Sequence, residues 1–154
     1  PDTLRTLLNL GNAYRLSRDY TKAEQLILEA VEARRRNEGE DQFATLHTKT
    51  RLAELYLDMG RYAEAASLSL RVWEVRRKHR GETDAGTIDS LVQRARAAAG
   101  LGDHAAARQL AEQAFELRRA KFGSEAGPTR EAADLLARVS VQSGRATQSS
   151  PSKP

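Results

Sequence analysis

The 154-residue chain contains no cysteine, which excludes disulfides and thiolate metal sites and fits an intracellular, cytoplasmic setting. It has no run of about 18 apolar residues, the length a membrane-crossing helix needs, and no charged-then-apolar leader is visible. The phosphate-cradling glycine patterns GxxxxGKS/T and GxGxxG are missing. The three histidines, His47, His79 and His104, lack a histidine partner one helical turn away, so no zinc site is expected. Ser67, Ser69 and Ser90 stand in helical pattern rather than on a nucleophile turn. These absences predict no enzyme activity, no metal and no cofactor. Aromatic residues make up only 5% of the chain against 40% hydrophobic residues overall, a balance suited to close packing through small side chains.

What is present is a period. Thr3, Thr45, Thr87 and Thr129 recur every 42 residues, and whole segments follow in register. Leu10, Gly11 and Tyr14 match Leu52, Ala53 and Tyr56; Ala23, Ala65 and Ala107 align, as do Val31, Trp73 and Phe115. Arg34-Arg35, Arg76-Arg77 and Arg118-Arg119 coincide, followed by Gly39, Gly81 and Gly123. Such self-similarity means one supersecondary unit stacked on its copies.

The spacing inside each unit is helical. Leu4, Leu7, Leu10, Gly11 and Tyr14 give one apolar face, and Tyr20, Ala23, Ile27, Ala30 and Val31 another. Between them Arg18 stands where later copies have Gly60, Gly102 and Gly144, and Asp19 and Asp103 are placed to cap the helix that follows. First (A) helices are predicted near 3–17, 45–59, 87–101 and 129–143, and second (B) helices near 20–37, 62–79 and 104–121. The expected architecture is all-α: three and a half antiparallel helix pairs, seven helices. The array is expected over 1–144, with repeats 3–44, 45–86 and 87–128 and a terminal helix 129–144. Arg130, Asp134, Arg138, Gln142 and Arg145 form the polar stripe of a last element, so the C-terminus reads as the protein's own end. Residues 145–154, RATQSSPSKP, are expected to be disordered. The start at Pro1, with Leu4, Leu7 and Leu8 at the edge, reads as a cut from a longer protein.

The pattern Leu10-Gly11, Tyr14, turn, Tyr20, Ala23 and Ala30 resembles the tetratricopeptide repeat (TPR), whose usual unit is about 34 residues. The 42-residue form is similar to the repeats of kinesin light chains, and to those at the C-termini of nucleotide-binding sensor proteins. The resemblance implies a right-handed α-solenoid whose A helices line a concave, partner-binding groove. It leaves function open. An adaptor for a peptide or protein partner is the first expectation, and a regulatory array on a nucleotide-binding switch the alternative.

By helical spacing the concave candidates are Arg5, Leu8, Asn9, Asn12 and Arg15, then His47, Thr50, Arg51, Glu54 and Asp58. Asp89, Val92, Gln93 and Arg96 follow, and Glu131, Asp134 and Arg138 on the last helix. Asparagines can hydrogen-bond an extended peptide backbone, and arginines can pair with its carboxylates. The residues expected to bind the partner are Arg5, Asn9, Asn12, Arg15, His47, Arg51, Glu54, Gln93, Arg96 and Arg138. The carboxylate clamp of chaperone-binding TPR proteins is not matched: only Asn12 fits, while Leu8, Arg51, Asp89 and Gln93 hold its other positions. Arginines at these sites favour an acidic peptide; Glu54, Asp58 and Asp89 oppose one. The net charge is +4, and basic residues crowd the B-helix ends. Cations there suit the helix dipole, and acidic loops follow them, so nucleic acid is not the expected partner. The sequence does not determine the oligomeric state.

Overall fold

A computed structural model describes the backbone of residues 2–148 and the side chains of residues 3–142. Among the described residues there are seven helices and no strand. They are α1 (Asp2–Leu16), α2 (Tyr20–Glu38), α3 (Phe43–Asp58), α4 (Tyr62–Arg80), α5 (Ala85–Gly100), α6 (His104–Phe122) and α7 (Gly127–Gln148). Odd-numbered helices are the A helices and even-numbered ones the B helices. One boundary moves: α7 continues through Gly144 and the first four residues of the expected tail, to Gln148. A glycine inside a helix costs only about 1 kcal/mol, and Arg145-Ala146-Thr147-Gln148 lacks the capping aspartate that starts a new helix at Asp19 and Asp103. Residues 149–154 of that tail lie outside the described residues.

The first three A helices, α1, α3 and α5, end in the same turn. In the first unit the N–H of Arg18 donates to the Arg15 carbonyl at 3.0 Å, and that of Asp19 to Tyr14 at 2.9 Å. Gly60 with Arg61, and Gly102 with Asp103, repeat both bonds. This is the Schellman closure, whose pivot must turn left-handed. Gly60 and Gly102 do so at φ 74° and 82°, and Arg18 is held there too, at 64°. Asp19 and Asp103 then accept from the backbone N–H of Lys22 at 3.3 Å and of Ala106 at 3.0 Å, satisfying donors that the first helical turn leaves open. Arg61 holds the equivalent place before α4. Its guanidinium donates to Glu64 and, at 2.6 Å, to Glu24 of α2, and lies 4.2 Å from the Tyr56 ring centroid. Those carboxylates raise its pKa, while burial raises that of Tyr56.

The described residues divide into two compact units, one up to Val75 and one from Arg76. In the first, α2 packs between α1 and α3, and the core is Leu8, Ala23, Ile27, Val31, Leu52 and Leu55. Leu46, Val72 and Val75 form a smaller cluster between α3 and α4. In the second, α6 packs against α5 and α7 around Ala95, Ala107, Ala111, Leu135 and Val139. Small residues set the close approaches. A Cβ at Gly11 would lie 2.7 Å from Ile27 Cγ1, and Ala23, Ala65 and Ala107 are completely buried.

The apolar face expected on α1 is corrected at two places. Leu10 is 45% exposed, whereas Leu8, assigned to the concave surface, is 6% exposed and in the core. Two residues along a helix turn it by about 200°, so the two leucines cannot share a face. Leu52, the counterpart of Leu10, is buried because α2 packs against α3.

Candidate functional site

Helices α1 and α3 carry most of the expected partner-binding residues, and the structure joins four of them, Asn12, Arg15, Arg51 and Glu54, with a fifth residue, Asp58. Arg15 donates through Nε to the Asn12 side-chain oxygen at 3.1 Å and through Nη1 to Asp58 of α3, while Nη2 lies 3.9 Å from Glu54. Glu54 also accepts from Arg51, one helical turn earlier, at 2.9 Å. The result is a half-buried cluster with two charges of each sign, spanning two A helices. Arg5 and Asn9 lie exposed nearer the start of α1, and His47 is half-buried on α3. Two residues expected on this surface are absent from it: Leu8, and Thr50, whose hydroxyl is buried against the Leu46 carbonyl at 2.9 Å.

In the second unit Arg96 on α5 and Arg138 on α7 are exposed. Gln93 is only 4% exposed and does not lie open to a ligand. Helix α5 touches both α6 and α7, and with alanine at 95, 97, 98 and 99 the neighbours approach closely enough to cover more than one of its sides. Asp89, which would repel an acidic ligand, is bonded to Arg118 at 2.7 Å.

The basic B-helix ends separate into two groups. Arg35, Arg77 and Arg119 are exposed and paired with Glu32, Glu82 and Glu116. The bond from Arg35 holds the Glu32 carboxyl below its ordinary range and raises the pKa of Arg35. Arg76 and Arg118 are 4% and 6% exposed. Arg76 donates to the Gly86 carbonyl at 2.7 Å, and Arg118 to the Pro128 carbonyl, also at 2.7 Å. Each therefore fastens the end of a B helix to the start of the next A helix. Desolvation lowers the pKa of Arg76, opposed by the charges of Asp84 and Asp89. Residues 34, 76 and 118 share a register, but Arg34 bonds Glu38 of its own helix at 3.2 Å. The repeat of arginine pairs was the signal for this fastening; which member of each pair turns inward was not legible in it. Lys49 was also missed: it is buried and bonded to Glu40, where Leu7 and Leu91 stand in neighbouring copies.

Paired helices with a common turn and a 42-residue register define an all-α repeat solenoid. The Tetratricopeptide repeat profile matches residues 2–78 and again 43–120; the chain belongs to the tetratricopeptide repeat family. Two crystal structures of a Podosopora anserina protein, described as a kinesin light chain with nearly identical TPR-like repeats, are similar to it. They superpose with TM-scores of 0.85 and 0.86 at 22% identity, over 96% of this chain and 70% of theirs. BtubC (BKLC) from P. vanneervenii is similar at TM-score 0.71 and 15% identity, over 98% of this chain and 66% of its own. At these identities the likeness is one of fold. No curated protein matches the chain. Repeats of this family are protein–protein interaction scaffolds, and among the described residues no helix is long and apolar enough to cross a membrane.

Proposed function

We propose that the chain is a non-enzymatic adaptor whose A-helix faces receive an extended segment of a protein partner. The observation that carries this reading is the α1–α3 cluster of Asn12, Arg15, Arg51, Glu54 and Asp58. It is polar, half-buried and made by two helices from consecutive repeats. Half-buried arginines are stronger contacts than solvated ones because less water must be removed when a ligand arrives. Asn9 and Asn12 supply donors and acceptors for a peptide backbone. We place Arg5, His47, Arg96 and Arg138 on the same functional surface type, and drop Gln93. The partner offers polar groups to the asparagines and arginines, an acidic group among them only where it can displace Glu54 or Asp58. Nucleic acid is disfavoured because Arg76 and Arg118 are buried and Arg35, Arg77 and Arg119 are paired with acids. We assign the repeats to 3–44, 45–86 and 87–128 with 129–144 as a terminal helix, and the lack of cysteine supports action in the cytoplasm.

The test compares Arg51→Ala with Arg96→Ala, one on the A face of each unit, against Arg35→Ala with Arg77→Ala. Affinity for one partner isolated from the source cell should fall by about 2 kcal/mol or more for the first pair and far less for the second. Loss confined to the second pair would reject the A-helix face.

A further inference from the structure

We propose that Glu54 and Asp58 set the charge selectivity of the α1–α3 face by occupying its arginines internally. An acidic segment then binds only by displacing them. The inference rests on the reading of that face as the binding surface and specifies what it selects.

Asp58 meets Arg15 across 43 residues of sequence, and Glu54 lies against both Arg15 and Arg51. The side chains are 16% exposed at Arg15, 22% at Glu54 and 26% at Asp58. Stacking of the repeats does not require the pair. One period later Leu57 and Gly100 stand where Arg15 and Asp58 stand here, and Asn12 and Arg96 hold the register of Glu54. The acids therefore belong to this face and not to the common fold. A tethered carboxylate competes at an effective concentration in the millimolar range or above, so a ligand carboxylate exchanging for it gains little. A segment that offers a hydrogen-bonding group, or a cation to take up the displaced acid, does not meet this penalty. The built-in acids reject simple polyanions and leave the asparagines to read the backbone.

Three labelled alternating decapeptides, glutamate–alanine, serine–alanine and lysine–alanine, provide the probes, titrated by fluorescence anisotropy at low salt. Glu54→Gln with Asp58→Asn should bind the glutamate peptide about tenfold more tightly than the unaltered protein. Its affinity for the serine peptide should be unchanged, and that for the lysine peptide lower. Glu24→Gln with Glu64→Gln changes the net charge equally away from this face and should stay within about twofold. Equal tightening by both double variants, or none by the first, would overturn the proposal. Glu54→Gln alone, which leaves the Arg15–Asp58 link between helices intact, should shift affinity the same way and guards against misfolding of the double variant. Asn9→Ala with Asn12→Ala separates the two layers. If it leaves binding of the serine and glutamate peptides unaltered, the surface itself is wrong, whatever Glu54 does. If no peptide binds any of the proteins, surface and selectivity fall together.

Discussion

Arg18 adopts the left-handed backbone that its counterparts Gly60 and Gly102 adopt without a side chain. That conformation costs a non-glycine residue about 1–2 kcal/mol, so Arg18→Gly should stabilise the first unit by about 1 kcal/mol after the entropy of the unfolded glycine is offset. A urea midpoint unchanged or lowered would show that the Arg18 side chain makes a compensating contact. Arg118 offers the opposite test. Its guanidinium is buried and holds the Pro128 carbonyl and Asp89. Arg118→Met should cost about 2 kcal/mol, the scale of a charged hydrogen bond. Arg34→Met, in the same register but bonded only one turn along its own helix at 3.2 Å, should cost about 0.5 kcal/mol or less. Equal losses would contradict the inward assignment of Arg118. The sequence marks 34, 76 and 118 alike; what separates them is the distance to the next A helix, a tertiary quantity.

The helices themselves were legible, because apolar steps of three and four, a turn residue and a capping aspartate all mark the same boundaries. Apolar residues on one turn were less so. Leu7, Leu8 and Leu10 all satisfy a loose helical spacing, and only the positions of α2 and α3 decide that Leu8 enters the core. The register also located the tight crossings. Ala65 is completely buried, and Ala65→Leu should overpack the middle of the array, lowering stability by about 1–3 kcal/mol. Because repeats couple to their nearest neighbours, a volume increase here should disturb more of the chain than one at either end. An unchanged unfolding midpoint would mean that the crossing has room the structure does not show. The charge pairs of the candidate surface were hidden for a further reason: Arg15 and Asp58 lie on different helices, and no local pattern links them.

At the scale of the whole chain, the family and fold place it among interaction scaffolds, while the surface that meets the partner rests on the residues of this chain. Among them, A-helix positions carry half-buried polar groups of both signs, and B-helix ends carry arginines engaged in structure or in exposed pairs. The two faces of one repeat therefore differ in role. Amide chemical-shift mapping on the 154-residue chain, titrated with a binding segment of its partner, distinguishes the two faces. Shifts should concentrate at Asn9, Asn12, Arg15, Arg51, Glu54 and Asp58, with Arg35, Arg77 and Arg119 unmoved. Shifts concentrated at those three arginines, with the α1–α3 residues unmoved, would contradict this division of roles.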